Sequence, residues 1–179
     1  MNIIVRGAIL EDAGAIAKVH VDSWRTTYKG IISDSYLASL SYQQRENRWK
    51  DLLIEGRSFV FVAETELSKQ TIGFVIGGQE RSNDPEYSGE LDAIYLLENY
   101  QRQGIGQRLV FTLVKSLIKS GHHSILVWVL ARNPYRKFYE KLGGVYLRSK
   151  QIEIGGTSYE EIAYGWKNLK WMISSSPIA

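Results

Sequence analysis

Through the first third of the chain, apolar residues recur at every third or fourth position. Between Glu11 and Tyr28 the stripe Ile16, Val19, His20, Ser23, Trp24 and Thr27 predicts a helix, and Ile3 to Arg6 ahead of it reads as a short strand. A second helix is predicted over "SYQQRENRWKDLL". Ser41 and Gln44 form a capping-box pair at its start, Trp49, Leu52 and Leu53 share one side, and Gly56 ends it.

The pattern then changes. "FVFVAE" (59–64) and "TIGFVIGG" (71–78) are β-rich runs joined by the polar "TELSKQ", which predicts an antiparallel hairpin, and "ELDAIYLL" (90–97) supplies a further strand. Next come a helix carrying Leu109, Val110, Leu113, Val114 and Leu117, the strand "ILVWVL" (125–130), and a short helix from Pro134 to Leu142, with proline in its first turn and Gly143-Gly144 at its end. "GVYLRSKQIEI" and "SYEEIAYGWKNL", joined by Gly155-Gly156, read as a closing hairpin. The order implies an α/β chain of the mixed α+β kind. Its centre is a mixed, mostly antiparallel sheet of about seven strands, flanked by about four helices, with one parallel β-α-β crossover.

Composition narrows the class further. A length of 179 residues with 44% hydrophobic and 12% aromatic content suits one domain with a sizeable core, taken as residues 1–170, followed by a tail at 171–179. The 22 basic and 19 acidic residues are spread along the chain, a mild bias toward anionic ligands without the clustered charge of a nucleic-acid binder. Cysteine is absent, which removes disulfides, thiolate metal sites and any cysteine-linked acyl-enzyme, and no HExxH occurs, so no metal is expected. Arg6, Glu11 and Asp12 interrupt the apolar start, and no run approaches the ~20 apolar residues of a membrane span. A soluble, cytoplasmic protein without membrane association is expected.

The chemistry concentrates at "NYQRQGIGQRL" (99–109), where Gly104 and Gly106 stand between a strand and a helix. The start of a helix leaves about four N–H groups unpaired and carries roughly half a positive charge, so it binds phosphate, and glycine lets the ligand reach the backbone. A dinucleotide fingerprint would need glycine where Leu109 stands and an acid where the next strand ends in "WVLAR"; a Walker loop would need Gly-Lys-[Ser/Thr] in place of Gly106-Gln107-Arg108. Neither fits. The glycines alone can also be read as a simple cap and turn.

Gln101-x-x-Gly104-x-Gly106 after an "AIYLL" strand resembles the pyrophosphate-binding motif of the GCN5-related N-acetyltransferase (GNAT) family, and "RNPYRKFYEKLGG" further on resembles its second motif, with Asn133, Tyr139 and Leu142-Gly143-Gly144. The specific motifs occupy residues 90–144. The resemblance implies acetyl-CoA as cosubstrate, its pantetheine arm along Ile94, Tyr95 and Leu96, its pyrophosphate wrapped by Arg102, Gln103, Gly104, Ile105, Gly106 and Gln107, and Asn133 on the pantetheine. It also implies direct attack of a substrate amine on the thioester. Three positions depart from the family. Tyr139 follows Asn133 by six residues where many members have seven, Glu98 stands where proline is frequent, and Trp128 occupies a position where some protein-N-terminus acetylators carry glutamate.

An amine of pKa about 10.4 is nearly all protonated at pH 7, a gap of about 3.4 units or roughly 4.6 kcal/mol, so a proton acceptor is useful. Glu90 and Asp92 share a strand face by period 2, and Glu90 is the preferred base because glutamates near this strand serve so in relatives. Tyr139 is the candidate acid for the departing thiolate. His20, Trp24 and Tyr28 form one stripe beside the implied acceptor site, with core packing the stronger reading for the two aromatic residues. A small-molecule amine is the preferred acceptor, and a homodimer is possible. Acetylation of protein or peptide N-termini or lysines, and an acyl-CoA sensor without turnover, are the alternatives.

Overall fold

Strands β1 (Ile3–Gly7), β2 (Phe59–Thr65), β3 (Thr71–Gln79), β4 (Gly89–Leu96), β5 (Ile125–Leu130), β6 (Val145–Ile154) and β7 (Thr157–Trp166) form one sheet in the computed structural model, which describes residues 2–174. Their order across the sheet is β1-β2-β3-β4-β5-β7-β6. Every neighbouring pair is antiparallel except β4 and β5, which are parallel. This is the mixed sheet with one crossover that the order of elements implied. The crossover is the helix α4 (Ile105–Lys119), which follows α1 (Ala13–Thr27), α2 (Asp34–Ser39) and α3 (Tyr42–Glu55), and precedes α5 (Lys137–Lys141) and α6 (Leu169–Ser174).

Helices cover both faces of the sheet. Under α4 lie Leu109, Leu113 and Leu117 against Val75, Leu91 and Ile125, all fully buried. On the opposite face Ala13 and Ile16 of α1 and Trp49 of α3 pack against Val62, Phe74 and Ile76. The central strand β3 is buried along its length to Gly78, the result of having helices on both sides. Capping follows the local sequence: the Ser41 hydroxyl accepts from the Gln44 N–H, and Gly56 closes α3 in the left-handed region at φ 63°.

Several boundaries differ from the sequence reading. The first helix starts with a 3₁₀ turn at Leu10–Asp12, because the buried Asp12 carboxylate is drawn to Arg6 and to the Ile9 N–H. The short helix begins at Lys137 rather than Pro134: the Asn133 Oδ1 accepts from the Tyr135 N–H at 2.8 Å, which holds residues 133–135 in a side-chain-closed turn. Strand β7 ends at Trp166, and α2 and α6 were not anticipated. Leu169 and Met172 of α6 are buried, residues 171–174 of the expected tail are helical, and residues 175–179 lie outside the described part.

Pairing of β3 with β4 contains one irregularity that matters below. Ile76 stands opposite Ala93 and Gly77 opposite Leu91, so Asp92 is the extra residue of a β-bulge. Gly77 makes this approach possible, since a Cβ there would lie 2.4 Å from the Glu90 carbonyl oxygen and 2.8 Å from a Leu113 methyl. Gly77→Ala should therefore lower stability by about 1–3 kcal/mol in urea unfolding. The neighbouring Gly78→Ala, whose added carbon meets nothing closer than 3.5 Å, should change it little. Equal midpoints for the two variants would contradict this account of the bulge.

Candidate active site

The ladder between β4 and β5 is short. It pairs Gly89 with Ile125, Glu90 with Leu126 and Leu91 with Val127, and then stops, although both strands continue. On its other side β5 stays paired with β7 from Ile125 to Leu130, and β4 stays paired with β3 as far as Leu96. The two parallel strands thus diverge after Leu91. A cavity of about 160 Å³ occupies the opening, walled by Asp92 to Tyr95 of β4 and Val127 to Leu130 of β5. Trp24 of α1, Tyr28 at its C-terminal cap, Asn133 and Tyr139 complete one part of the wall, and Ile152, Ile154 and Glu161 of the last two strands complete the other.

The two candidate carboxylates have different surroundings. Glu90 is held by Arg81 through Nε at 3.1 Å and Nη2 at 2.5 Å, and it is not among the residues lining the cavity. Asp92 does line it. The same Arg81 Nη2 lies 3.3 Å from Asp92 Oδ1, but that oxygen is buried without a hydrogen-bond partner. Burial pushes the Asp92 carboxyl up to about 7; Arg81 works against this and the Glu90 charge adds to it. Strict alternation puts both acids on one face and the structure keeps them there, close enough for one Arg81 nitrogen to reach both; the bulge shifts the strand's phase from Ala93 onward.

Asn133 and Tyr139 reach the same cavity. The turn before α5 means that helical phase is counted from Lys137, so the six-residue spacing still brings both residues to the opening. The Asn133 Nδ2 donates to the Tyr28 hydroxyl at 3.3 Å, and the Tyr28 and Tyr95 hydroxyls share a further hydrogen bond at 3.3 Å. Burial raises the Tyr139 phenol well beyond its ordinary range, with Tyr28 adding to the effect, so it stays protonated at neutral pH. His20 stacks on Tyr95 with centroids 5.1 Å apart, and burial, helped by Arg45, lowers it to about 3, leaving a neutral imidazole. Trp24 and Tyr28, read first as core, are both core and cavity wall.

At the end of β4 the chain makes a 3₁₀ turn, Glu98–Tyr100, and the Gln101 amide donates to the Leu96 carbonyl at 3.0 Å. Arg102 and Gly104 both have positive φ, 62° and 77°, and Gly104 caps α4. The first backbone bond of the helix runs from the Arg108 N–H to the Gly104 carbonyl, so the N–H groups of Ile105, Gly106 and Gln107 have no helical acceptor. Gly104 is required by its backbone conformation. Gly106 is not, since a Cβ there would meet nothing closer than the Phe138 ring at 3.5 Å, an ordinary contact. The fold leaves room at Gly106 that an approaching ligand can use.

The parallel β4–β5 pair joined through a glycine-capped helix is the crossover that the sequence implied, and the divergence of the two strands is added by the structure. A model described as the acetyltransferase (GNAT) family matches residues 20–144. The chain belongs to that family. YuaI of Bacillus subtilis, an uncharacterized N-acetyltransferase, is 44% identical over 167 residues, covering 93% of this chain and 94% of its own. Among solved structures, the PaiA N-acetyltransferase of Thermoplasma acidophilum in complex with coenzyme A shares the GNAT fold at a TM-score of 0.71 and 22% identity, covering 93% of this chain and 99% of that one. An N-acetyltransferase of Staphylococcus aureus Mu50 does so at 0.71 and 19%, covering 94% and 99%.

Two residues of this GNAT site were not foreseen. Arg81 lies in the polar run "RSNDPEYS", which has no periodicity to mark it, and Glu161 sits in the acidic pair Glu160-Glu161 of an exposed-looking hairpin. Asp92 yields a direct test. Its folded pKa is raised above the unfolded value of about 3.9, so stability is unaffected below pH 4 and is lost progressively as pH rises toward 7. Asp92→Asn should remove that loss, so its melting temperature should rise relative to the parent between pH 4 and 7, with the difference constant above. A carboxyl-carbon NMR titration that places Asp92 below 5 would contradict the assignment.

Proposed function

We propose that this GNAT-family chain transfers an acetyl group from acetyl-CoA to a primary amine of a small molecule, and that Asp92 rather than Glu90 accepts the amine's proton. The reading rests above all on one observation: Asp92 lines the cavity between the diverging strands with a buried carboxylate oxygen that lies within ion-pair reach of Arg81 and accepts no hydrogen bond. The residues present fit the cosubstrate. The edge of β4 from Ile94 to Leu96 offers backbone groups to an extended pantetheine arm, as an added strand would use them. The N–H groups at the start of α4, with Arg102, Gln103 and the space over Gly106, suit a pyrophosphate, and Asn133 faces the cavity between. Bound acetyl-CoA supplies a thioester that is reactive toward amines.

The protein's own groups then divide the proton work. A carboxyl with a pKa near 7 is about half ionised at neutral pH, and its carboxylate form is a stronger base toward a bound ammonium than an ordinary aspartate. Glu90 acts through Arg81: by holding the guanidinium it limits the pull of that cation on Asp92, and its own charge raises Asp92 further. Tyr139, kept protonated by burial, is the donor to a leaving thiolate. The hydrogen-bonded set Asn133, Tyr28 and Tyr95 fixes the cavity floor beside it.

The deciding experiment follows free-thiol release from acetyl-CoA over a panel of amines and over pH. Turnover should rise through the neutral range. Asp92→Asn should cut kcat by about 10²- to 10⁴-fold with the KM for acetyl-CoA nearly unchanged. Glu90→Gln should keep most of the activity but move the acidic limb to lower pH, because Arg81 is then released toward Asp92. An inactive Glu90→Gln beside an active Asp92→Asn would return the role of base to Glu90. Coenzyme A binding with every amine inert would support the sensor reading instead.

A further inference from the structure

We infer that the acceptor is a primary amine with an apolar body and no carboxylate beside the amine, so that simple amines are used and the corresponding amino acids are rejected. This rests on the acetyl-transfer reading of the same cavity and names its substrate class. Among the described residues lining the cavity there are two carboxylates, Asp92 and Glu161, and no lysine, arginine or histidine. The rest of the acceptor side is apolar or aromatic, with Trp24, Trp128, Ile152 and Ile154. Such a wall matches an ammonium head and an apolar body.

A substrate carboxylate would fare differently. Entering the cavity, it would lose hydration and find no cation on the wall, beside two groups of its own sign. The cations that come near are already engaged. Arg81 is bonded to Glu90, and the Lys150 Nζ lies 3.2 Å from Glu161 Oε1 and 3.9 Å from the centre of the Trp128 ring. Arg148 is paired with Asp84 and also lies over Trp128, its guanidinium carbon 5.6 Å from the ring centre. Lys150 and Arg148 therefore brace the indole and the acidic pairs rather than presenting themselves to a ligand anion. Leaving a buried charge unpaired gives strong discrimination, up to about 10⁴-fold where a site is fully enclosed.

The test compares phenethylamine, phenylalanine and phenylalaninamide, which separates the charge of the carboxylate from its bulk. Thiol release gives kcat/KM for each, and calorimetric titration into the coenzyme A-saturated protein gives binding without turnover. Phenethylamine should exceed phenylalanine by at least about 100-fold in both, and phenylalaninamide should fall within about tenfold of phenethylamine. Phenylalanine within tenfold of the amine, an amide as poor as the acid, or no binding of any of the three would overturn the inference. The predicted binding order without thiol release would uphold the inference while defeating the acetyl-transfer reading. In Lys150→Ala the rejection of phenylalanine should persist; phenylalanine use that is present in the parent and lost in this variant would assign the carboxylate to Lys150 and overturn the inference.

Discussion

A parallel strand pair that stops after three residues is the constraint on which the rest of this molecule depends. Backbone groups along a strand must find partners, and β5 finds them in β7 over its whole length while β4 finds them in β3. Those neighbours hold each strand on one side, so both can bend apart beyond Leu91 without leaving the sheet, and the groups on the facing edges are left for water or a ligand. The opening therefore arises inside a continuous sheet, with the leucine and valine core under α4 beneath it and the aromatic packing of α1 on the opposite face. A cavity built this way carries the rigidity of the fold and exposes strand edges that a ligand can complete.

The bulge at Asp92 sits one residue beyond the point where the strands part. Asp92 lines the cavity, while Glu90 two residues earlier does not and is hydrogen-bonded to Arg81. Two acids of the same strand thus have different environments: Glu90 is hydrogen-bonded to Arg81, and Asp92 is desolvated with its pKa raised toward neutrality. Arg81 touches both, which makes it the element that balances them. Gly77, opposite the bulge, is the small residue that permits it.

Periodicity made most of the sheet and the longer helices legible, because Leu109, Leu113 and Leu117, Val60 and Val62, or Phe74 and Ile76 repeat at the spacing that burial imposes. The glycine loop was legible for a chemical reason: two glycines where a strand turns into a helix fit a cap, an anion site or both, and the second motif around Asn133 and Tyr139 is what separated the readings. Short elements escaped. Helix α2 has six residues and only Leu37 buried, too little for a period to show, and α6 draws its stability from contacts with α4 that local sequence does not record. The different surroundings of Glu90 and Asp92 were hidden for a sharper reason. Alternation puts the two on one face and says nothing of Arg81, which lies in no periodic run, or of the bulge permitted by Gly77, thirteen residues before Glu90. The turn at Asn133 was equally concealed, since an asparagine ahead of proline fits a helix cap and a side-chain-closed turn alike.

Hydrogen exchange of the β4 amides, read residue by residue by NMR with and without coenzyme A, tests the central claim most directly. Alternate amides after Asp92 are bonded to β3; the intervening ones point into the opening toward β5. If the diverging strands form the ligand site, those intervening amides exchange quickly in the free protein and become strongly protected when coenzyme A binds, together with the amides of Ile105 to Gln107. Unchanged exchange along β4 at saturating coenzyme A, with protection appearing elsewhere, would contradict it.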